Sequence, residues 1–274
     1  QNMLEWEVCM LVFSEPQLKD CAWISKSVKE SGYMGSDASF ANIYLLKSKY
    51  NTKVSFYKDF LIRYYEGYGS RHGYTFPLGH GKTDKALEAI RQDALENNRK
   101  LEFCFVTEEQ KEVLDAVYGN ILEYKKMMAT AIIYMDSRSW QHCQEEPIIK
   151  RKTTYQSLKE TYNNIRYSEI GAGNIEDAVI IEDNWYKEHI KDEDASINME
   201  YSAIKEALLH FDDLALTGGI LYVNDVPAAM TIASYINDDT VDIHFEKCIG
   251  EYAAAGGYAA INQMHAESFK KCNV

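Results

Sequence analysis

The chain has 274 residues, a net charge of −13 and 46% hydrophobic residues, a length and composition that suit two modest hydrophobic cores. No apolar run reaches the roughly 18 residues of a membrane span, and no segment resembles a secretion leader. The negative charge repels nucleic acid at long range, so a tRNA partner would require a local basic patch. We therefore predict a cytoplasmic protein of two domains, residues 1–140 and 141–274.

The cysteines and histidines predict neither disulfides nor a metal site. The six cysteines are scattered without a C-x-x-C pair, which favours reduced thiols that fill hydrophobic cores. The seven histidines show no spacing typical of metal ligands. We expect no metal cofactor.

The first half predicts helices that alternate with short strands. Ser14 and Pro16 are typical of a helix start, and residues 53–65 alternate at period two around a turn, which indicates a hairpin. The predicted elements are a helix at 14–32, a helix at 36–50 capped by Ser36 or Asp37, two strands within 53–65, a strand at 74–78, a helix at 83–97, a strand at 101–106, a helix at 108–118 and a strand at 121–125.

The second half repeats much of this order. Residues 137–155 read as an irregular join that contains Pro147. Helices at 175–189 and 201–211 are followed by three strands at 214–223, 226–236 and 240–247, with Asn and Asp residues in the turns. A glycine-rich turn then leads into a helix at 258–270. We predict an α+β fold in which each half has its own mixed sheet flanked by helices.

Three strands, a glycine-rich turn and a helix resemble the centre of a GNAT-type acyltransferase. The resemblance implies that the pyrophosphate of an acyl donor rests on backbone N–H groups where the helix begins. Gly250, Gly256 and Gly257 would supply them. The chain lacks the Gln/Arg-x-x-Gly-x-Gly pattern typical of acetyl-coenzyme A enzymes, and Glu251 in the turn would repel phosphate. A turn that only leads into the helix is the alternative.

A second resemblance covers nearly the whole chain. The stretches that carry it are, in order, Ser-Phe-Ala-Asn-Ile-Tyr-Leu at 39–45, Asp-Phe-Leu-Ile at 59–62, Phe-Pro-Leu-Gly at 76–79, residues 150–152 leading into 165–170, His-Phe-Glu-Lys at 244–247 and Tyr-Ala-Ala-Ile-Asn at 258–262. They resemble a bacterial family of unknown function related to the C-terminal domain of phosphatidylglycerol lysyltransferase. The resemblance implies two tandem GNAT-like domains and transfer of an acyl or aminoacyl group.

The chain departs from the pattern of this family at two points. Lys150, Arg151, Lys152 and Thr153 stand where the family has Lys-Lys-Arg-Asn, so one planar guanidinium is displaced. The family also continues past the last helix with a strand and a helix, whereas this sequence ends at Val274. We expect either a truncated sequence or a second domain without the strand that splays to admit the donor.

Polar side chains alternate along the third strand of the second half. Asp242, His244 and Glu246 alternate with apolar neighbours, which predicts that all three lie on one face. Ionisable groups on a covered strand are costly unless they line a cleft. We interpret this face as an active-site wall beside the turn at 250–258, with Glu246 as a general base of raised pKa and His244 polarising an acceptor. A solvated strand face is the alternative.

Three further motifs have a chemical interpretation and a structural one. Tyr258 would donate a proton to a leaving thiolate, unless it is an ordinary packed tyrosine. The run Lys150, Arg151 and Lys152 would bind a phosphate, a lipid headgroup or a tRNA end in a cleft between the halves, unless it is a solvated surface run. Gly81-Lys82-Thr83 matches the end of a nucleotide phosphate loop, but Phe76 stands where that loop requires glycine.

Together these patterns predict a GNAT-type acyltransferase that moves an acyl or aminoacyl group to an amine by direct attack. A coenzyme A thioester is the expected donor, ahead of aminoacyl-tRNA, because the chain is acidic. The alternative is a non-catalytic ligand-binding or scaffold protein that retains the fold.

Overall fold

A computed structural model describes residues 10–67, 71–119, 121–125, 149–190 and 195–271, with side chains except at 149–154 and 270–271. The chain divides into two compact units, residues 1–126 with 236–240, and residues 127–235 with 241–274. The predicted domain boundary at residue 140 lies outside the described residues and stays a prediction.

The first unit is built on a mixed sheet. Its strands run in the order β1-β2-β3-β5, with β4 paired to β2, and only the β3–β5 pair is parallel. The strands are β1 Thr52–Tyr57, β2 Phe60–Glu66, β3 His72–Thr75, β4 Leu78–Gly79 and β5 Phe103–Cys104. The helices are α1 Cys21–Ser31, α2 Phe40–Leu45, α3 Lys47–Tyr50, α4 Asp84–Glu96 and α5 Glu108–Tyr118.

Two predicted helices of this unit are shorter than expected because the residues predicted to cap them have other partners. Ser14 does not cap a helix, since its backbone exchanges hydrogen bonds with Val54 and extends the sheet. The helix predicted at 36–50 is broken, and the Ser39 hydroxyl accepts the Asn42 N–H at 3.3 Å as the cap of α2. Asp37 is instead buried and accepts a hydrogen bond from Arg63 Nη1 at 2.8 Å. Residues 121–125 form no strand.

The second unit has an antiparallel sheet in the order β6-β7-β8-β9. Its strands are β6 Ile165–Glu169, β7 Leu216–Val223, β8 Val226–Tyr235 and β9 Val241–Cys248. Its helices are α6 Ile149–Thr161, α7 Ile175–His189, α8 Ala195–Leu209, α9 Gly250–Ala254 and α10 Gly257–Lys271. The sequence predicted neither β6 nor α9 as an element, and α6 begins within residues read as irregular.

Helices cover both faces of this second sheet. On one face, Ala260 and Ile261 of α10 share a hydrophobic cluster with Ala229 and Cys248 of the sheet. On the other, α7 packs on β8 and β9, with α8 packed against α7. Among the described residues, no helix combines the length and the apolar character needed to cross a lipid bilayer. The chain therefore has a mixed α and β architecture, in agreement with the predicted α+β class.

Candidate functional site

A β-bulge in β9 decides which side each of its polar residues faces. Opposite β8, Ile232 pairs with Phe245 but its neighbour Ala233 pairs with Ile243, so His244 is an extra residue in the ladder. An extra residue of this kind bends the strand and redirects side chains. The alternation of polar and apolar residues in β9 therefore changes phase at His244.

The register places Asp242 and Glu246 on opposite faces of the sheet. Asp242 pairs with Ser234 and Glu246 pairs with Thr231. Paired residues share a face, whereas Ser234 and Thr231 are three positions apart in β8 and face opposite sides. The prediction that Asp242, His244 and Glu246 lie on one face is wrong, because a bulge does not show in the alternation of residue types.

His244 is held in a chain of polar groups on the α7 face. Its Nε2 lies 2.8 Å from the Ser234 hydroxyl, and its Nδ1 lies 3.2 Å from Asp242 Oδ2. The side chain of His244 is 3% exposed, and burial lowers the pKa of His244 to about 4. The imidazole is therefore neutral at pH 7. The bulge separates this group from Glu246, so the structure does not bring His244 and Glu246 together.

Glu246 and Tyr258 come together beside the start of α10. Glu246 shares its face with Cys248, two residues along β9, and Cys248 packs against this helix. Burial is the main cause of the raised pKa of Tyr258, and the Glu246 charge contributes to the rise. The two predicted catalytic groups on the α10 face are thus electrostatic neighbours.

The Tyr258 hydroxyl is oriented by one donor. Trp185 Nε1 donates to the Tyr258 oxygen at 3.2 Å. This bond opposes the rise in the pKa of Tyr258, yet the pKa stays above its usual value. Tyr258 is therefore protonated at neutral pH, and because its oxygen accepts the Trp185 N–H its own proton is free to point elsewhere.

The glycines of the predicted phosphate turn have local roles. The Gly250 N–H donates to Glu188 Oε2 at 3.0 Å, and Gly250 has φ +53°. A carboxylate thus already occupies this backbone donor. A Cβ on Gly257 would collide with Cys248 Sγ and lie 2.8 Å from the Tyr252 carbonyl oxygen, so glycine permits α10 to pack against β9. Gly256 has φ +106° and is the residue that precedes α10.

An acidic site that the sequence prediction missed lies on the α7 face. Glu182 is fully buried, and neither of its carboxylate oxygens has a hydrogen-bond partner among the described residues. Burial raises the pKa of Glu182 to about 7, and the Lys247 ammonium opposes the rise. Buried Lys247 donates to Glu200 and lies 3.2 Å from the centroid of the Trp185 ring.

Helical spacing carried a signal for this acidic site. Glu182 is four residues after Ala178 and three before Trp185, both already assigned to the packed face of the helix. An ionisable residue at such a position indicates a perturbed pKa. Ser234 carried no comparable signal, because a serine in an apolar strand is common.

The predicted anion site falls outside the described side chains. Lys150, Arg151 and Lys152 lie in the first turns of α6, where the structure describes the backbone alone. Among the described residues, no group of three or more His, Cys, Asp or Glu side chains is arranged to hold a metal ion.

The family of the chain follows from a match over most of its length. The model of the family described as "Phosphatidylglycerol lysyltransferase, C-terminal" matches residues 29–274. The chain belongs to this family. As a member of the phosphatidylglycerol lysyltransferase C-terminal family, it carries Glu246, Tyr258 and the triplet at 150–152 inside the matched region, and the resemblance found in the sequence is confirmed.

Solved structures of other proteins are similar in fold to this chain. A conserved protein of unknown function from Bacteroides thetaiotaomicron has a TM-score of 0.82 at 27% identity, over 94% of this chain and 86% of that one. A C-terminal domain described as that of a lysylphosphatidylglycerol synthetase, from Agrobacterium fabrum, has a TM-score of 0.51 at 11% identity, over 91% and 75%. At that identity the second likeness shows the fold alone.

One curated relative carries a different name. A tRNA N6-adenosine threonylcarbamoyltransferase from Caldicellulosiruptor bescii is 26% identical over 169 residues, which is 57% of this chain. The match covers 50% of the length of that relative.

Proposed function

We propose that this member of the phosphatidylglycerol lysyltransferase C-terminal family transfers an acyl or aminoacyl group to an amine, and that its two units are tandem GNAT-like domains. The observation that carries the proposal is the neighbouring pair Glu246 and Tyr258 beside the first turn of α10. Transfer to an amine requires a base for the ammonium proton and an acid for the leaving group, and these two side chains supply one of each.

Glu246 acts as the base and Tyr258 as the acid. The amine loses a proton to the Glu246 carboxylate as its nitrogen attacks the acyl carbonyl. The bond to the leaving sulfur or oxygen then breaks, and Tyr258, whose raised pKa keeps it protonated, donates its proton there. In this arrangement the N–H group of Trp185 stabilises the tyrosinate that forms.

A coenzyme A thioester is the first proposed donor and aminoacyl-tRNA the second. Gly250 does not fit a pyrophosphate, because its N–H already donates to Glu188. The remaining contact expected for a phosphate is the first turn of α10, which follows Gly256 and begins at Gly257. The N–H groups in the first turn of a helix have no acceptor within that helix. The family name favours an aminoacyl donor. The net charge of −13 favours the coenzyme A thioester, which carries fewer phosphates than a tRNA and is repelled less.

The test is transfer from acetyl-coenzyme A or lysyl-tRNA to a panel of primary amines, measured as released thiol or deacylated tRNA. We expect Glu246→Gln and Tyr258→Phe each to lower kcat/KM by about 10²-fold or more. Matched controls are Glu251→Gln and Tyr252→Phe, which change the same residue types nearby and should preserve turnover. Full turnover in Glu246→Gln would show that the base lies elsewhere.

A non-catalytic ligand-binding or scaffold protein is the second candidate, and the carboxylate on the Gly250 N–H favours it. Calorimetric titration with coenzyme A and with deacylated tRNA separates the two functions. Binding without turnover on any amine supports the scaffold.

A further inference from the structure

We propose that Ser234, His244 and Asp242 form a nucleophilic triad that accepts an acyl group from an ester or thioester onto the Ser234 hydroxyl. The reaction is distinct from the direct transfer proposed above, and it takes place on the other face of the sheet. Its groups come from β8 and β9, joined across the bulge.

The contacts have the order that a triad requires. The Ser234 hydroxyl lies 2.8 Å from His244 Nε2, and Asp242 Oδ2 lies 3.2 Å from His244 Nδ1. A carboxylate only accepts, so the proton of the neutral ring lies on Nδ1 and Nε2 accepts the Ser234 O–H. Triads of this type are recognised by geometry and roles, whatever the order of residues in the chain.

The bulge gives His244 its place in this arrangement. As the extra residue of β9, His244 has no direct partner in β8, and its ring reaches both Ser234 and Asp242. Bulges recur next to active sites, where they redirect a side chain. A buried imidazole requires a polar neighbour at each ring nitrogen, and for His244 these neighbours are the hydroxyl and the carboxylate of a triad.

The reacting side chains lie in a largely buried place. Ser234 is 5% exposed and the side chain of His244 is 3% exposed, and burial strengthens the hydrogen bond between them. Burial also lowers the pKa of His244 to about 4, so its Nε2 is unprotonated and able to accept a proton at pH 7.

The acylation balances without a further reagent. Ser234 Oγ attacks the carbonyl carbon of the donor while its proton passes to His244 Nε2. Asp242, as a positioning residue, stabilises the imidazolium. The carbon–oxygen or carbon–sulfur bond then breaks, the leaving group takes the proton from His244, and an ester of Ser234 remains. Water or an amine releases the acyl group by the reverse proton path.

The experiment uses the intact protein and two probes, p-nitrophenyl acetate and a serine-directed fluorophosphonate. We expect peptide mapping of the wild-type chain to place the phosphonyl group on Ser234. Release of nitrophenolate should slow by about 10²–10⁴-fold in His244→Gln and be lost in Ser234→Ala. Ser202→Ala, which changes an exposed serine of α8, is the matched control and should react at the wild-type rate.

Asp242→Asn tests whether Asp242 positions His244, through measurements that a purely structural role of Asp242 would leave unchanged. We expect it to lower kcat with little change in KM, and to alter the pH dependence of the rate through the tautomer of His244. A fluorophosphonate label absent from Ser234, or an unchanged rate in Ser234→Ala, would overturn the triad. Because wild-type mapping needs no variant, misfolding of a mutant leaves this result decisive. Failure here leaves the separate mechanism at Glu246 and Tyr258 intact.

Discussion

At the scale of single residues, Glu182 is a costly group of the second unit. Its carboxyl is fully buried, and no described residue hydrogen-bonds to either oxygen. A charged carboxylate in such a place loses its hydration without compensation, which is why burial raises the pKa of Glu182 to about 7. Lys247 reduces this cost through its charge but gives its hydrogen bond to Glu200.

The raised pKa of Glu182 predicts a pH-dependent stability with a definite sign. The carboxyl titrates near 4.5 in the unfolded chain and at about 7 in the folded chain, so between these values the folded protein binds more protons. The free energy of unfolding therefore falls as pH rises from 4.5 to 7, by about 1.4 kcal/mol for each unit of pKa difference. Above pH 7 this contribution no longer changes. Glu182→Gln removes this slope, so the stability of the variant relative to wild type should rise by about 3 kcal/mol between pH 4.5 and pH 8.

Urea denaturation from pH 4.5 to pH 8 measures this effect. Glu160→Gln changes an exposed glutamate of α6 and serves as the control, with the wild-type pH dependence expected. A Glu182→Gln curve that runs parallel to the wild-type curve would contradict a perturbed carboxyl.

At the scale of elements, close packing at the start of α10 depends on one glycine. A Cβ at Gly257 meets Cys248 Sγ and the Tyr252 carbonyl oxygen, and the carbonyl belongs to backbone that cannot rotate away. We expect Gly257→Ala to destabilise the protein by about 1–3 kcal/mol, as overpacking generally does.

Thermal or urea denaturation tests this expectation against a matched change. Gly173→Ala places a Cβ where nothing lies within 4 Å and should be nearly neutral. Adding Cys248→Ala to Gly257→Ala should recover only part of the loss, since the contact with Tyr252 remains. Equal stability of the Gly257→Ala and Gly173→Ala proteins would show that α10 shifts without cost.

The elements also show what the sequence could and could not predict. The sequence predicted both ends of the helix Ile175–His189 and of strands β7, β8 and β9 to within two residues, because their apolar periodicity is regular. Strand β6 was missed because Ile165 and Tyr167 alternate over only five residues. The roles predicted for Glu246 and Tyr258 beside the turn stay predictions. His244 was assigned to the wrong face, since backbone pairing with β8 places the bulge and residue type does not.

At the scale of the whole molecule, each unit has a sheet and a buried cluster of its own. Ile90 belongs to the cluster of the first unit and Ile261 to that of the second, and both are fully buried. Cores of this kind support separate cooperative units, which open independently in hydrogen exchange.

Truncation of one core should therefore affect one unit. Ile90→Ala and Ile261→Ala should each cost about 2–5 kcal/mol. Hydrogen exchange followed by mass spectrometry should show faster exchange in β1–β3 for Ile90→Ala and in β7–β9 for Ile261→Ala. Equal acceleration in both sheets by either variant would indicate a single cooperative core.

The bulge at His244 has a consequence beyond the direction of side chains. Strand β9 is the outermost strand of the second sheet among the described residues, and an outer strand invites strand addition by another chain. The extra residue bends β9 and breaks the regular spacing of its backbone groups, so this edge is a poor template for a second strand and less prone to edge-to-edge aggregation.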